Sequence, residues 1–301
     1  RSDGELSDPL VFDPQSCVRC KHEESRRYRY LSQLAPRIMG WFWTSVFTSW
    51  WGRDSRYARM AKNYTQRNEI LMELLNSAQA VICPSAFLVQ IFAARGIQPE
   101  KLVLSTHGLD VSNWLPFQKV KRSPGTFRIG YLGQIDAHKG VHLAIEAFLM
   151  LNSDIPLEFE VYGNLNHSPQ YTSTLQRIAR QDPRIKWMGK YKNETVGQIL
   201  SQLDVIVIPS LWNEIGPWVM FEAFETKTPV IASNIPNMSY GIRHGENGLL
   251  FERGNSADLA NQLQKIINDS DFYRRLVAGI QPVKKLDQEM AELQQVYQSV
   301  A

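Results

Sequence analysis

The chain has 301 residues, of which 44% are hydrophobic and 21% charged, a composition typical of a soluble globular protein with one large or two ordinary domains. Its formal net charge of +3 is too small to indicate a nucleic-acid partner. The 3 cysteines exclude a disulfide framework and fit a reducing compartment, so we expect a cytoplasmic protein. No apolar run is long enough to predict a membrane-spanning helix.

The first part of the chain shows an irregular start followed by short, mixed elements. Residues 1–25 are predicted to be irregular and residues 26–76 helical, with many Arg, Tyr and Trp side chains. The apolar run Ala80–Cys83 predicts a strand, and Ser85 is a suitable N-cap for a helix that ends before Gly96. A second strand is predicted over 101–104, and the Pro, Lys and Gly content of residues 111–126 predicts a linker.

After this linker, strands alternate regularly with helices. The predicted strands are 127–132, 157–162, 185–188, 205–208, 229–232 and 248–251. The predicted helices are 140–151, 169–181, 193–203, 217–227, 236–243, 256–268, 271–281 and 286–299. The alternation predicts an α/β fold with a doubly wound, Rossmann-like parallel sheet. We therefore divide the chain into a partial N-terminal Rossmann-like domain (1–110), a linker (111–126), a C-terminal domain (127–284) and a helix that crosses back (285–301).

Two glutamates stand eight positions apart in the segment Trp212–Ala223. Glu214 is predicted in the loop after a strand, and Glu222 about a turn and a half into the following helix. In open parallel sheets, ligands bind at the carboxyl ends of strands, and free N–H groups at a helix N-terminus favour an anion such as a diphosphate. Glu214 is then placed to accept hydrogen bonds from sugar hydroxyls, and Glu222 from a ribose diol. The alternative is a first-turn acid favoured by the helix dipole and a solvated helix residue.

A second candidate binding segment follows the strand at 127–132. Gly133 ends that strand, where a glycine lets a ligand approach the backbone closely. Lys139 and Gly140 precede the next helix, where a positive charge is unfavourable unless an anion is bound nearby. A bound phosphate would account for Lys139, and an exposed loop lysine is the alternative.

Both segments resemble motifs of the retaining family 4 glycosyltransferases, which have the GT-B fold and use nucleotide sugars. Glu214 and Glu222 resemble the two glutamates of the family's E-x7-E motif, and residues 133–140 resemble its G-R-x-x-x-x-K-G pattern, in which Arg and Lys hold the donor diphosphate. Gln134 replaces the Arg, so a charged hydrogen bond of about 1.5–3 kcal/mol becomes a neutral one of about 1 kcal/mol. The resemblance covers about residues 78–270.

The resemblance implies a donor site without a metal or a cofactor, because a lysine and a helix N-terminus take the place of a cation. The implied catalytic residues are Glu214 and Lys139. The implied donor-binding residues are Gly133, Gln134, Lys139, Lys190, Tyr191, Glu214, Ile215, Gly216, Pro217, Trp218, Val219 and Glu222. Tyr191 would face the nucleobase, with an ordinary surface tyrosine as the alternative. His107 lies at the position of the interdomain hinge, and we expect it to be structural rather than a catalytic base.

The activity that the resemblance implies is transfer of a hexose, with retention, from a UDP-sugar to a glycan or lipid-linked acceptor in exopolysaccharide or glycoconjugate biosynthesis. UDP-glucose is the first expectation for the donor. The alternatives are a non-catalytic nucleotide-sugar-binding module and a GT-B UDP-sugar epimerase. The family's N-terminal domain usually opens with several strands, a Gly-rich loop and an acceptor-side His, so the chain is expected to begin partway through that domain.

Residues 19–67 carry 11 Lys or Arg against 3 Asp or Glu, a local charge of +8. Together with the aromatic stretch Met39–Trp51, this predicts that residues 26–67 contact an anionic membrane peripherally on its inner face. The alternatives are a core helix and a helix that packs on the missing part of the N-terminal domain. Cys17 and Cys20 form a CxxC, which is a weak zinc signal because a structural site needs four ligands. We therefore expect no metal site.

Overall fold

The structure is a computed structural model that describes residues 56–119, 125–180 and 182–301, together with Ile38, Trp41, Phe42 and Ser45. Cys17, Cys20 and most of the basic aromatic segment lie outside the described residues. The chain divides into two units. Among the described residues, the first includes 56–83 and Leu88–Leu104, and the second consists chiefly of Ser105–Ser299.

Over residues 56–104, the structure shows a two-stranded parallel sheet and two α-helices. Helix α1 spans Arg56–Ser77, strand β1 Val81–Cys83, helix α2 Ala86–Ala94 and strand β2 Leu102–Leu104. The buried side chains of Val81, Cys83 and Ile97 form a small core with apolar side chains of both helices. Both strands predicted in this part of the chain are confirmed, and burial raises the pKa of the Cys83 thiol.

The second unit is built on a six-stranded, entirely parallel sheet in the order β5-β4-β3-β6-β7-β8. Its strands are β3 Phe127–Leu132, β4 Leu157–Tyr162, β5 Ile185–Gly189, β6 Val205–Ile208, β7 Val230–Ser233 and β8 Gly248–Phe251. Numbered within this sheet alone, the order is 3-2-1-4-5-6, the doubly wound Rossmann order. The chain therefore reverses its direction of winding between β3 and β6, which pair directly through Ile129 and Val205.

Helices cover both faces of this sheet. They are α3 Val141–Leu149, α4 Pro169–Ala179, α5 Val196–Gln202, α6 Trp218–Glu225, α7 Pro236–Gly241, α8 Ser256–Asn268 and α9 Ser270–Gly279. A further helix, α10, spans Leu286–Val300. Alternate strand residues enter two separate cores: Val205 and Val207 pack in one, and Ile206 and Ile208 in the other. The first core includes side chains of α3, α4, α8 and α9, and the second those of α5, α6 and α7. The predicted α/β fold with a doubly wound sheet is confirmed.

The segment that composition assigned to a linker packs on the second unit as far as its described residues extend. The N–H of Leu115 donates to the Glu194 carbonyl at 2.7 Å. The Lys119 ammonium donates to the Leu203 carbonyl at 2.7 Å and to the Thr228 hydroxyl at 2.8 Å. Burial lowers the pKa of Lys119 to about 8, an effect that the charge of Asp204 partly opposes. Nothing in the composition of this segment indicated such packing, and the predicted domain boundaries stay predictions.

Helix α10 packs against the segment that precedes this anchored stretch. The Glu289 carboxylate accepts a hydrogen bond from the Gly108 N–H at 2.7 Å, and the Glu292 carboxylate accepts one from the Ser105 hydroxyl at 2.9 Å. A backbone bond of 2.8 Å joins the Leu109 N–H to the Lys284 carbonyl. These contacts fix residues 105–109 against the start of the last helix.

Candidate functional site

Two loops meet at the carboxyl edge of the sheet, at the point where its winding reverses. The loop after β3 runs from Gly133 to Gly140, and the loop after β6 leads from Pro209 into α6. The Leu211 N–H donates to the His138 carbonyl at 2.8 Å. A Cβ added to Gly140, whose φ is +70°, would lie 1.9 Å from the Pro209 carbonyl oxygen. Only glycine allows the loops to approach so closely in this conformation.

The approach of the loops brings together the two side chains assigned a catalytic role from the sequence. The Lys139 ammonium lies 2.6 Å from the Glu214 carboxylate, with side chains that are 27% and 15% exposed. The Ser210 hydroxyl donates to the same carboxylate oxygen at 2.7 Å, and the Asn237 side-chain amide donates to the Glu214 backbone carbonyl. Lys139 is therefore not a solitary loop lysine but one half of a largely buried ion pair.

The helix that follows Glu214 begins with an uncapped N-terminus. Helix α6 starts at Trp218 after Pro217, has no side-chain cap and has no acidic residue in its first turn. The first N–H groups of such a helix have no partner within the helix and carry a partial positive charge. Glu214 lies four residues before this terminus in the chain. The terminus is therefore close in sequence to the Lys139–Glu214 ion pair, and it is suited to an anion.

Glu222 lies deeper in the structure than a solvated helix residue would. Burial raises the pKa of its carboxyl group to about 7. The pKa of Tyr191 rises to about 12, chiefly because of burial and also because the charge of Glu222 is near. Tyr191 packs against the second core, with its ring edge-on to Tyr162 at 6.1 Å, so it is not an ordinary surface tyrosine. By contrast, Lys190 beside it is exposed.

The remaining predicted residues lie on the two loops and at the start of α6. Ile215 is exposed, Pro217 is buried, and Val219 packs partly against the second core. Gly133 has a φ of +153°, and a Cβ there would lie 3.3 Å from the Tyr131 hydroxyl, which donates to the Gln134 carbonyl at 2.7 Å.

The Gln134 side chain belongs to a polar cluster that sequence reasoning missed. Its amide contacts the His167 ring, and His167 Nε2 lies 3.5 Å from an Asp136 carboxylate oxygen. The other carboxylate oxygen of Asp136 lies 3.4 Å from His138 Nδ1. His167 follows β4, thirty-three residues after Gln134 in the chain, so no local pattern connected them.

His107, expected to be structural, stacks on an exposed ring at the start of α6. Its imidazole is parallel to the Trp218 indole within 19°, with the ring centroids 5.0 Å apart. The His107 ring also contacts Glu289, whose carboxylate lies 3.3 Å from His107 Nδ1. Neither this stack nor the contacts of Ser210 and Asn237 with Glu214 followed from sequence reasoning.

Within the described ranges, no group of three or more His, Cys, Asp or Glu side chains is arranged to hold a metal ion. None of the described helices combines the length and the apolar character that crossing a bilayer requires.

A Rossmann-ordered sheet with an anion-suited helix N-terminus at its switch point is the arrangement of nucleotide-binding α/β proteins. Residues 113–281, more than half of the chain, match the model of the family described as glycosyl transferases group 1. The chain therefore belongs to the glycosyl transferases group 1 family.

The chain also resembles individual proteins of known name, at sequence identities of 24% and 25%. It is 24% identical over 203 residues to a D-inositol 3-phosphate glycosyltransferase of Pseudarthrobacter chlorophenolicus, covering 64% of this chain and 48% of the relative. It is 25% identical over 181 residues to the capsular polysaccharide biosynthesis glycosyltransferase CapM of Staphylococcus aureus, covering 60% of this chain and 45% of the relative. The chain thus spans about half the length of these relatives.

Solved structures agree with the fold. The Anabaena protein Alr3699/HepE, solved in complex with UDP-glucose, superposes with a TM-score of 0.66 at 20% identity, over 79% of this chain and 69% of that protein. Sucrose-phosphate synthase from Thermosynechococcus elongatus superposes with a TM-score of 0.65 at 21% identity, over 78% of this chain and 61% of that protein. These similarities confirm the predicted GT-B fold class.

Proposed function

We propose that this protein transfers a hexose, with retention of configuration, from a UDP-sugar to a glycan or lipid-linked acceptor. The observation that carries the proposal is the Lys139–Glu214 ion pair, which directly precedes the uncapped N-terminus of α6 at the switch point of the sheet. A cation and a row of free N–H groups suit a diphosphate, and a carboxylate between them suits the hydroxyls of the attached sugar. UDP-glucose, which the Anabaena structure contains, is the first donor to test.

Each part of the site has a role in this proposal. The helix N-terminus over Gly216–Val219, Lys139 and Gln134 hold the diphosphate, Glu214 positions the sugar, and Glu222 accepts hydrogen bonds from the ribose diol. Tyr191 lines the nucleobase position, with Lys190 exposed beside it. Donors that are already oriented stabilise charge better than water does, because they need no reorganisation during the reaction.

The proposed reaction is a front-face substitution. The bond between the sugar C1 and the β-phosphate oxygen breaks, and its electrons pass to the departing diphosphate. The acceptor hydroxyl oxygen bonds to C1 on the same face, and its proton passes to the departing phosphate oxygen. Lys139 and the α6 N–H groups stabilise the negative charge that develops on UDP, so the reaction as proposed needs neither a metal nor a cofactor.

Binding of UDP tests the donor site directly. Lys139→Met should weaken UDP binding about 10- to 100-fold in a calorimetric titration, because a charged hydrogen bond is worth about 1.5–3 kcal/mol. Lys265→Met is the matched control, because Lys265 is an exposed lysine on α8 that pairs with Gln262, and it should leave the UDP affinity unchanged. Equal affinities in the wild type and both variants would contradict the placement of the site.

Turnover separates transfer from the rival functions. A non-catalytic module would bind UDP-sugars without consuming them, and an epimerase would convert a UDP-sugar without any acceptor. Incubation of the full-length protein with UDP-glucose and glycan or lipid-linked acceptors, followed by chromatography of UDP and of the sugar products, distinguishes the three. Release of UDP that depends on an acceptor is the result expected of a transferase.

We further propose a cytoplasmic location with peripheral contact to the inner face of a membrane, as suits a lipid-linked acceptor in exopolysaccharide or glycoconjugate biosynthesis. The support is the basic start of α1, where Arg56, Arg59 and Lys62 are exposed. Each basic residue near an anionic membrane contributes about 1 kcal/mol. Sedimentation with phosphatidylserine vesicles at low salt, but not with phosphatidylcholine vesicles, is the expected result, and equal sedimentation with both would contradict it.

A further inference from the structure

Trp218 is an exposed aromatic side chain held in a defined orientation. The residue is 47% exposed, yet one face of its indole is stacked on the His107 imidazole with the centroids 5.0 Å apart. His107 is in turn oriented by Glu289, which also accepts the Gly108 N–H at 2.7 Å. Three separate parts of the chain therefore cooperate to orient one ring at the start of α6.

The backbone near this stack leaves room for it. A Cβ added to Gly216 would lie 3.2 Å from His107 Cδ2, closer than about nine in ten natural contacts of a Cβ. The imidazole thus fits against the Gly216 backbone while it stacks on the indole. About half of the indole stays exposed to solvent, so burial of apolar surface does not by itself explain why the ring is held in one orientation.

The position of Trp218 indicates which ligand its ring would meet. Trp218 is the first residue of α6, and the Cα–Cβ bonds of a helix tilt toward its N-terminus. The side chain therefore projects past the helix start, where the diphosphate and the sugar attached to it would lie. Sugar rings bind in pockets that combine an apolar or aromatic wall with a few oriented polar groups, and here Glu214 supplies a polar group four residues earlier.

We propose that Trp218 is a further substrate-contacting residue, which packs against the pyranose ring of the donor, and that His107 and Glu289 are positioning residues that orient its indole. The inference rests on the proposed function, because it requires a nucleotide sugar at the start of α6. It gives the side chain of Trp218, already among the predicted donor-binding residues, the specific role of recognising the sugar, whereas its backbone belongs to the helix N-terminus proposed to hold the diphosphate.

The test compares UDP with a UDP-sugar in each variant, because UDP lacks the sugar ring. The donor is whichever of UDP-glucose, UDP-galactose and UDP-N-acetylglucosamine the wild-type full-length protein binds most tightly by calorimetry. Trp218→Ala should weaken binding of this donor about tenfold and leave UDP binding unchanged, in line with the strength of an aromatic packing contact. Unchanged UDP binding also shows that the variant is folded.

Two further variants separate positioning from general damage. His107→Ala should lower the ratio of UDP-sugar to UDP affinity in the same direction as Trp218→Ala, whereas His107→Phe, which keeps a flat ring to stack on, should retain most of the wild-type ratio. Trp212→Ala is the matched control, because Trp212 is an exposed indole on the same loop that meets His138 edge-on and has no stacked partner ring among the described contacts. It should leave the ratio unchanged.

The outcomes are distinguishable. Equal weakening of UDP and UDP-sugar by Trp218→Ala would show that the residue merely maintains the helix terminus, and this would overturn the inference, as would no change in either. The same loss of ratio in Trp212→Ala would also overturn it, because an oriented ring would then be unnecessary. Failure of the wild type to bind UDP or any UDP-sugar would refute the proposed function itself.

Discussion

Glu222 offers the sharpest test of the donor site, because its protonation should control binding near neutral pH. Burial raises the pKa of its carboxyl group from 4.5 to about 7. A ribose diol donates its hydrogen bonds, so the ionised carboxylate is the better acceptor. Donor binding should therefore strengthen as the pH rises through 7, and Glu222→Gln should remove this dependence.

The magnitude follows from the fraction of ionised carboxylate. With a pKa of about 7, this fraction is roughly one tenth at pH 6 and nine tenths at pH 8, so wild-type affinity for UDP-glucose should rise about tenfold between them. UDP-glucose is the appropriate ligand because its diphosphate diester does not titrate in this range. The Gln variant accepts hydrogen bonds through a neutral amide, so its affinity should be nearly constant and about tenfold below the wild type at pH 8.

Stability provides an independent measurement of the same group. The folded-state pKa is raised, so the folded protein binds more protons than the unfolded chain between pH 4.5 and about 7, and the wild type loses stability as the pH rises through that window. Relative to Glu222→Gln, the loss should approach about 3 kcal/mol at pH 8. Calorimetric titration at pH 6, 7 and 8 and urea unfolding at pH 5 and 8 check both effects. Parallel pH profiles for the wild type and the variant would refute the reasoning.

Three further predictions concern the rest of the second unit. The folded-state pKa of Lys119 is lowered from 10.5 to about 8, so the unfolded chain binds more protons than the folded protein between these pH values. The wild type should therefore gain about 3 kcal/mol of stability relative to Lys119→Met between pH 8 and 10.5, as measured by urea unfolding. A stability difference between the two proteins that does not change with pH would contradict this. In the same assay, Gly140→Ala should destabilise the protein by about 3 kcal/mol or more, because the added Cβ meets the Pro209 carbonyl. The control Gly189→Ala has a similar φ of +75° but nothing within 4 Å of the added Cβ, so it should cost only about 1 kcal/mol. Equal losses of stability in the two variants would contradict the close approach of the loops. Glu214→Gln removes a negative charge beside the diphosphate site, so UDP binding should stay constant or strengthen in calorimetry while sugar transfer falls; weakened UDP binding would show that Glu214 holds the diphosphate instead.

The local elements of the second unit were predictable because their signals are local. Apolar runs of four to six residues marked strands such as Val205–Ile208 and Gly248–Phe251 with the bounds that the structure has. The positions of Glu214 and Lys139 after strand ends also followed from the sequence, since the loops that carry them adjoin those runs. Parallel strands place all their carboxyl ends at one edge, so it also followed that the loops carrying these two residues lie at the same edge of the sheet.

The partners of these side chains were not predictable in the same way. Lys139 and Glu214 are 75 positions apart, and His107 and Glu289 are 182 apart. Propensity and periodicity describe neighbours within a turn or a strand, whereas these pairs depend on which strands lie side by side. The burial of Lys119 shows the same limit, because a segment rich in Pro and Lys has the composition of a linker whether or not its lysine finds buried acceptors.

The sequence by itself therefore determined the α/β class, the order of elements along the chain and the residue types available at the carboxyl edge of the sheet. Only the tertiary structure decided that β3 lies beside β6, that Lys139 meets Glu214, and that burial brings the Glu222 pKa to about 7. The physical reason is that hydrogen-bond propensity and apolar periodicity act between residues close in the chain, whereas ion pairing and desolvation depend on distances and burial that exist only after distant segments have packed.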